Sequence, residues 1–191
     1  MLPVDNGRGI NNSTLMIRER MTIQTTDRLR LVAGTQALAA AEIGDRAKFA
    51  KLLGVIVPDT WPPDSLTDVL GYIYGLYREH PEWEGWLAWY AVRIDTDDPV
   101  LCASVGFKGP PDEQGIVEIG YSVLAEFQGQ GLATEMVAAI VKWAKRQPHV
   151  KRIEAETNID NKASIQVLEK NNFSYIGAGM EPGTIRFLHR S

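Results

Sequence analysis

The chain has 191 residues, 45% of them hydrophobic and 23% charged, which suffices for one well-packed core but not for two. Its formal net charge of -4 lacks the basic surplus that binding to nucleic-acid phosphates requires, so nucleic acid is not an expected partner. Cys102 is the only cysteine and the three histidines are not spaced as metal ligands, so we predict neither a disulfide within the chain nor a metal site.

The first residues of the chain differ in character from the rest. Residues 1–20 are polar and rich in turn-forming residues, whereas a new pattern begins at Met21. We therefore expect an N-terminal extension over residues 1–20 and one domain over residues 21–191, with the extension docked on the domain or on a second copy in a homodimer. No apolar run is long enough to cross a bilayer and no signal peptide is evident, so we expect a cytoplasmic protein without a membrane partner.

The first part of the domain predicts a strand followed by two helices. The alternation of residues 28–33 is typical of a half-buried strand. A helix is predicted to begin after the cap residue Thr35 and to end at Gly54. Beyond the proline-rich segment at residues 57–66, apolar residues recur at helical spacing as far as Tyr77, which predicts a second helix.

The second part predicts the main sheet. Three apolar runs separated by turn residues, at residues 85–94, 100–109 and 116–124, are typical of an antiparallel meander. A long helix begins at Leu132. The remaining elements are a strand, a helix and two closing strands, at residues 151–157, 161–172, 173–179 and 184–190. The predicted fold class is a mixed α/β sheet (α+β mixed) with helices on both faces.

The segment FQGQGLATE at residues 127–135 places Gly129 and Gly131 at the start of that long helix, where no residue would cap it. Glycine inside a helix costs about 1 kcal/mol relative to alanine, so its use here needs a reason. The first N–H groups of a helix have no intrahelical partner and attract anions, and glycine lets an anion come close. The segment therefore predicts a cradle for a diphosphate. A tight turn that needs glycine only for its dihedral angles is the alternative, which the glycines alone leave open.

Two other phosphate-binding motifs were compared with this segment. A P-loop requires Lys followed by Ser or Thr after its last glycine, and Leu132 and Ala133 stand there instead, which excludes it. A dinucleotide-binding motif requires a third glycine, where this chain has Thr134, and a parallel strand-helix-strand unit instead of a meander. Because Glu154 and Glu156 lie near the distance expected for a ribose ligand, a dinucleotide-binding protein remains an alternative.

The glycine segment and a second block, NIDNKASIQVLEKNNF at residues 158–173, resemble the GNAT family of Gcn5-related N-acetyltransferases. Gln128, Gly131 and Ala133 fall on the positions of the family's diphosphate signature, Q/R-x-x-G-x-G/A. The second block resembles the branch that includes the ribosomal-protein N-terminal acetyltransferases, and its matching residues are Asn161, Ser164, Leu168, Lys170 and Phe173. The resemblance extends over roughly residues 22–191 and implies the GNAT fold, a central, mostly antiparallel twisted sheet with helices on both faces.

The resemblance also implies a co-substrate, acetyl-CoA, and the residues that bind it. In the family the pantetheine arm lies between the fourth and fifth strands, where a main-chain N–H, here that of Val123 or Ser122, polarises the acetyl carbonyl. Transfer from the thioester to a primary amine is direct. The residues expected to bind acetyl-CoA are Ser122, Val123, Leu124, Gln128, Gly129, Gln130, Gly131, Leu132, Ala133, Thr134, Asn161 and Ser164.

The reaction needs a neutral amine, so a base is expected in the site. Glu118 is the first candidate, because Gly120 and Ser122 share its strand face by the period of two. A chain of water molecules without a dedicated side chain is the alternative. Glu154 and Glu156 on the next strand are weaker candidates by the same argument.

The candidates for the general acid differ from those of the family pattern. Several family members carry a tyrosine as the general acid where this chain has Leu168, which cannot donate a proton, so their mechanism does not carry over. Ser164 lies on the same helix face as Asn161 and is a catalytic candidate near the thiol, with helix capping as the alternative for Asn161. Tyr121 and Tyr175 either serve as acids or pack in the core.

A second departure from the family pattern lies at Asn172, where the family usually has glycine. Asparagine tolerates left-handed dihedral angles better than most residues, so the turn is expected to survive.

The acceptor amine is expected between the first two helices and the strand that follows them, where the family places its variable substrate loops. The aromatic residues there either line a cleft or form core: Trp61, Tyr72, Tyr74, Tyr77, Trp83, Trp86, Trp89 and Tyr90. The predicted function is transfer of an acetyl group from acetyl-CoA to a primary amine, for example a protein or peptide N-terminus. The alternative is a regulatory module that binds CoA without turnover.

Overall fold

An eight-stranded sheet forms the centre of the molecule. The computed structural model describes residues 21–190, so the extension predicted at residues 1–20 lies outside the described residues. The strands are β1 (Ile23–Thr25), β2 (Leu29–Ala33), β3 (Trp89–Arg93), β4 (Val100–Phe107), β5 (Ile116–Val123), β6 (Arg152–Asn158), β7 (Phe173–Ala178) and β8 (Thr184–His189). They follow the order β1-β2-β3-β4-β5-β6-β8-β7, and every neighbouring pair is antiparallel except β5 and β6. The predicted mostly antiparallel sheet is confirmed.

Helices cover the sheet. They are α1 (Gln36–Gly44), α2 (Arg46–Leu53), α3 (Asp64–Thr67), α4 (Leu70–Glu79), α5 (Leu132–Ala144) and α6 (Lys162–Lys170). The single helix predicted from Thr35 to Gly54 is therefore two helices. The reason is Asp45: its N–H closes α1 on the Ala41 carbonyl at 2.8 Å, and its carboxylate accepts the Lys48 N–H at 2.9 Å as the cap of α2.

The two faces of the sheet carry different helices. On β2, Leu29 and Leu31 pack in one cluster with α5, whereas Val32, the residue after Leu31, packs in another cluster with α1 and α2. Because successive side chains of a strand point to opposite faces, these clusters lie on opposite sides of the sheet. Helices on both faces, as predicted, are confirmed.

Helix α5 is held by packing and not by a cap. Its N-cap residue, Gly131, offers no side-chain hydrogen bond, which forgoes a few tenths of a kcal/mol. Its inner face buries Leu132, Met136, Val137 and Ile140, each at 1% exposure or less. Since each such side chain contributes about 1.5–3 kcal/mol, the packing outweighs the missing cap.

Strand β5, helix α5 and strand β6 form a parallel strand-helix-strand unit. The three-stranded meander predicted before the glycine segment exists as β3, β4 and β5, but β6 then returns parallel to β5. The sequence interpretation, which set the meander against a parallel unit, was wrong on this point. One difference from a dinucleotide-binding motif remains: Thr134 stands where that motif has its third glycine.

Strands β5 and β6 pair along only part of their length. Their register runs from Ile116 opposite Arg152 to Ile119 opposite Ala155 and then stops. The rest of β5, residues 120–123, pairs only with β4. A gap therefore opens at the carboxyl end of β5, directly before the glycine segment.

Candidate functional site

A cleft of about 470 Å³ occupies the gap between β5 and β6. Its lining comes from the end of β5, the glycine segment with the start of α5, and α6 as far as its last residue, Lys170. Of the residues expected to bind acetyl-CoA, the lining includes Ser122, Val123, Gln128, Gly129, Gly131, Leu132, Ala133, Thr134, Asn161 and Ser164. Leu124 and Gln130 are not in the lining. Leu124 is buried in the core on the α1 and α2 side, and Gln130 is turned toward a neighbouring arginine.

The glycine segment offers unpaired main-chain donors to this cleft. Gly129 and Gly131 have φ values of 72° and 76°, a left-handed conformation that favours glycine, so the dihedral requirement is real. In addition, no N–H of residues 129–134 donates a hydrogen bond to another part of the described chain, residues 21–190. These donors stand at the positive end of α5, which is the arrangement that binds anions.

Arg28, directly before β2, fixes the orientation of the glycine segment. Its Nη1 donates to the main-chain carbonyl of Gln130 at 2.9 Å, while its Nε donates to Glu135 at 2.7 Å. Because the C=O and N–H of a trans peptide point in opposite directions, this bond turns the N–H of Gly131 away from Arg28. Gly131 lines the cleft, so that N–H faces the cleft.

Further hydrogen bonds tie the segment to its surroundings. Arg93 donates to the side-chain carbonyl of Gln130 at 2.6 Å, and Gln128 donates to the main-chain carbonyl of Val123 at 3.0 Å. Neither Arg28 nor Arg93 has a local sequence signal, because both reach the segment from parts of the chain that are distant in sequence. The conformation of the glycine segment is therefore set by contacts that only the fold creates.

Two hydroxyl groups meet on the α6 side of the cleft. The hydroxyl of Tyr121 lies 2.9 Å from Oγ of Ser164 and donates to the main-chain carbonyl of Ser164 at 3.1 Å. Burial raises the pKa of Tyr121 above its ordinary value near 10, and the bond with Ser164 offsets part of that effect. Tyr121 therefore keeps its proton at neutral pH and lines the cleft, so the interpretation of this residue as core was incomplete.

The other residues considered for this side of the cleft have structural roles. Asn161 accepts the Ser164 N–H at 3.0 Å, so its side chain caps α6. Leu168 is 1% exposed and belongs to the core. Tyr175 is 60% exposed on the edge strand β7, so its interpretation as core was wrong. Asn172 has a φ of 61°, the left-handed conformation expected for the turn after α6.

The candidate bases all have close partners. The carboxylate of Glu118 lies 2.5 Å from Nζ of Lys108, in the part of β5 that still pairs with β6. Glu154 is 5% exposed and is flanked by two arginines, with Nη2 of Arg152 at 2.7 Å. The second is Arg186. Because it is buried and lies between these two guanidinium groups, Glu154 is part of the structure of the sheet.

Glu156 closes the turn between β7 and β8. It accepts a hydrogen bond from the hydroxyl of Thr184, which lowers its pKa, and another from the N–H of Met180 at 3.0 Å. Cys102 is fully buried, and burial raises the pKa of its thiol to about 12, so it does not act as a nucleophile.

Residues 21–190 contain no group of three or more His, Cys, Asp or Glu side chains that could hold a metal ion. Within that range, no helix combines the length and apolar character needed to cross a membrane.

Comparison with known proteins agrees with this geometry. The family model described as "Acetyltransferase (GNAT) domain" matches residues 28–174. The uncharacterized N-acetyltransferase YjdG of Bacillus subtilis (strain 168) is 29% identical over 153 residues, which are 80% of this chain and 90% of that protein. The uncharacterized N-acetyltransferase YoaA of the same organism is 30% identical over 91 residues, 48% of this chain and 50% of that protein.

Solved structures share the fold. RimL, a ribosomal L7/L12 alpha-N-protein acetyltransferase, superposes with a TM-score of 0.61 at 18% identity, covering 90% of this chain and 95% of that one. The microcin C7 self-immunity acetyltransferase MccE, in complex with acetyl-CoA and AMP, gives 0.57 at 16% identity, covering 87% and 94%. The chain belongs to the GNAT family of acetyltransferases, for which acetyl-CoA is the co-substrate.

Proposed function

We propose that this chain acetylates the N-terminus of a protein or peptide, by direct attack of the neutral amine on the thioester of acetyl-CoA. The observation that carries the donor half of the proposal is the row of unpaired N–H groups at residues 129–134 beside the gap between β5 and β6. A protein N-terminus as acceptor is supported by the likeness of the fold to RimL, whose name specifies that acceptor for RimL itself. The proposed acetyltransferase domain spans residues 21–191, with residues 1–20 as its extension.

The proposed donor site follows the cleft. The diphosphate lies on the N–H groups of residues 129–134, where the dipole of α5 adds to their attraction. The pantetheine arm runs along residues 120–123 of β5, in the space from which β6 has departed. Asn161 and Ser164 form the opposite wall.

The strand geometry favours one of the two N–H groups that are candidates for polarising the acetyl carbonyl. The N–H of Leu124 donates to the Cys102 carbonyl on β4 at 3.0 Å. Successive N–H groups of a strand point to opposite sides, so the N–H of Ser122 also points to β4, whereas that of Val123 points into the gap. We therefore assign to Val123 the N–H that polarises the carbonyl and stabilises the oxyanion.

In the proposed reaction the amine nitrogen forms a bond to the acetyl carbon as the bond from that carbon to sulfur breaks. The departing thiolate takes a proton from the Tyr121 and Ser164 hydroxyl pair. The attacking amine loses its proton to Glu118 or to water connected to Glu118. Protonation of the thiolate makes it a better leaving group. Because the hydroxyl pair supplies this proton, the reaction does not need an acid at the position of Leu168.

The test measures the release of free thiol from acetyl-CoA across a panel of amines, with peptides of different N-termini beside polyamines and aminoglycosides. Acceptor-dependent thiol release with a peptide supports the proposal. Thermal stabilisation by CoA, with no thiol release in the presence of any amine of the panel, would indicate a module that binds CoA without catalysing transfer. Stabilisation by NAD and none by CoA would reject the donor site.

A pair of variants tests the cradle itself. Gly131→Glu places a carboxylate where the diphosphate is expected and should abolish CoA binding. Gly54→Glu is the matched control, because Gly54 has a similar φ of 66° but ends α2, outside the cleft. Both variants carry the same backbone strain and the same new charge. Equal CoA affinity in the two variants would contradict the assignment.

A further inference from the structure

A second groove of about 470 Å³ lies between helices α3 and α4 and strands β4 and β5. It adjoins the donor cleft, because Tyr121 lines both. A hydrogen bond of 2.9 Å between Ser65 of the groove and Ser122 of the cleft joins the two linings. An amine carried by a molecule in this groove therefore lies beside the gap where the acetyl group is expected.

The walls of the groove are apolar and mostly aliphatic. Val69, Ile73 and Leu76 form the helical side, and Val105 and Phe107 form the strand side. Of the aromatic residues expected around the acceptor, Tyr72 lines the groove, 68% exposed, whereas Trp61, Tyr77, Trp89 and Tyr90 are core residues at 5% exposure or less. Among the described residues, Phe107 and Tyr121 join Tyr72 in the lining, and the other apolar side chains are aliphatic, so the groove is not an aromatic cage of the kind that encloses a cation.

The described residues that line the groove include no aspartate or glutamate. Among the described residues that line it, Lys108 is the charged one, and its ammonium group is paired with Glu118 at 2.5 Å. The other polar groups are hydroxyls. A second cationic group on the acceptor would lose its hydration here without gaining a carboxylate, which is unfavourable.

Gly120 provides the room for an occupant. A Cβ added there would meet nothing within 4 Å, and the residue does not have a positive φ, so the fold does not require glycine at this position. Gly106 on the neighbouring strand differs, because its Cβ would lie 1.6 Å from the Leu87 carbonyl oxygen. Gly106 is therefore needed for packing, whereas Gly120 keeps the floor of the groove open.

We propose that this groove binds the acceptor of the reaction and selects an amine attached to an apolar group, with no second positive charge beside it. This inference rests on the proposed function and narrows its acceptor to peptides whose first side chain is apolar. Polyamines and N-termini that begin with lysine or arginine are disfavoured. Burial of one aliphatic side chain against these walls is sufficient for strong discrimination.

The test compares peptides of equal length and identical sequence after the first residue, beginning with leucine, methionine, aspartate or lysine, together with spermidine. We expect kcat/KM for the leucine or methionine peptide to exceed that for the lysine or aspartate peptide by about 10-fold or more. Equal or faster turnover of the lysine peptide or spermidine would overturn the proposal. Thiol release without an apolar preference would leave the proposed acetyl transfer intact, so the two failures are distinguishable.

Two variants test whether the groove determines the preference among acceptor peptides. Gly120→Leu should fill the floor and lower kcat/KM for the leucine peptide, measured at saturating acetyl-CoA, by about 10-fold or more. Gly44→Leu is the matched control, because its added Cβ also meets nothing within 4 Å and Gly44 ends α1, outside the groove. Unchanged turnover of the leucine peptide by Gly120→Leu would reject the groove as the acceptor site.

Val69→Asp is the second variant, chosen because it is expected to fold. Val69 is the N-cap of α4 without a side-chain hydrogen bond and is 38% exposed, so aspartate there favours the helix. The new carboxylate lies on the wall of the groove and should shift preference toward the lysine peptide by about 10-fold. An unaltered ratio of leucine to lysine turnover would contradict the proposal.

Discussion

Arg28 donates a hydrogen bond of 2.9 Å to the main-chain carbonyl of Gln130, across a sequence separation of 102 residues. The bond holds the peptide between Gln130 and Gly131 so that its N–H faces the cleft. The same guanidinium is anchored by Glu135 at 2.7 Å, in the first turn of α5. One side chain, 102 residues earlier in the sequence than Gln130, therefore fixes both the first turn of the helix and the loop before it.

Replacing Arg28 by glutamine should loosen this peptide and weaken binding of the diphosphate. We expect acetyl-CoA affinity to fall by about 10-fold, since hydrogen bonds of charged groups contribute about 1.5–3 kcal/mol. Acetyl-pantetheine lacks the diphosphate, so its kcat/KM should be unchanged in the same variant. Steady-state kinetics with the two donors measure the difference directly.

The control for that experiment is Arg146→Gln. Arg146 donates to Gln24 at 2.8 Å beyond the other end of α5 and should leave both donors unaffected. If Arg28→Gln slowed acetyl-pantetheine as much as acetyl-CoA, the residue would act on general stability instead of on the cradle.

Tyr121→Phe should slow the chemical step and spare donor binding. The hydroxyl of Tyr121 lies beside Ser164 in the cleft, and its removal deprives the thiolate of a proton source, for an expected loss of about 100-fold in kcat. Acetyl-CoA affinity, measured by calorimetry, should change by less than about 2-fold because the diphosphate contacts remain. Ser164→Ala should give a smaller loss, since the Tyr121 hydroxyl is still present.

The pH dependence of the wild-type protein provides a second measurement of this role. Because the pKa of Tyr121 is raised above 10, its protonated form persists across the alkaline range in which the acceptor amine becomes neutral. The rate should therefore rise with pH and show no decline below pH 10. A decline between pH 8 and pH 9 would be incompatible with Tyr121 as the acid.

Elements with a local signature could be predicted from the sequence. The helix α5 and the strands β3, β4 and β5 each have a clear hydrophobic period, and the glycine segment between them has a recognisable composition. Strand β1 was missed, because Ile23–Thr25 is too short for a period to be visible. The parallel pairing of β5 and β6 was missed too, because parallel register is decided by the packing of the crossover helix and not by either strand.

The parts of the site that depend on distant residues could not be predicted. Arg93 meets Gln130 across 37 residues, and Tyr121 meets Ser164 across 43 residues. No local pattern marks such pairs, since each partner is an ordinary residue of its own strand or helix. The apolar character of the groove proposed for the acceptor could not be predicted either, because the aromatic residues that dominate that part of the sequence mostly pack in the core.

Lys108 and Glu118 provide a test of the base. If Glu118 accepts the proton of the amine, Glu118→Gln should lower kcat and remove the acidic limb of the pH profile. Lys108→Met removes the positive charge that lies 2.5 Å from this carboxylate and should change kcat if the carboxylate takes part in proton removal. A profile that is identical in the wild type and both variants would assign proton removal to water alone.

The carboxylate of Glu42 on α1 makes the unfolding free energy depend on pH. Its carboxylate accepts hydrogen bonds from Nε1 of Trp61 at 2.8 Å and from the hydroxyl of Tyr90 at 2.6 Å. Burial raises the pKa of Glu42 above its ordinary value near 4.5, and these two bonds offset part of that effect. The folded state therefore favours the protonated acid more than the unfolded state does.

The sign of the effect follows from this difference. Below pH 4.5 both states are protonated and the contribution of Glu42 is fully present; as pH rises through the pKa of the folded state, that contribution is lost. Glu42→Gln cannot titrate, so the unfolding free energy of the wild type relative to this variant should decrease between pH 4.5 and pH 7, by about 1.4 kcal/mol for each unit by which the pKa is raised. Urea unfolding at several pH values measures this difference, with Glu79→Gln at the exposed end of α4 as the control. A constant difference across that range would show that Glu42 titrates alike in both states.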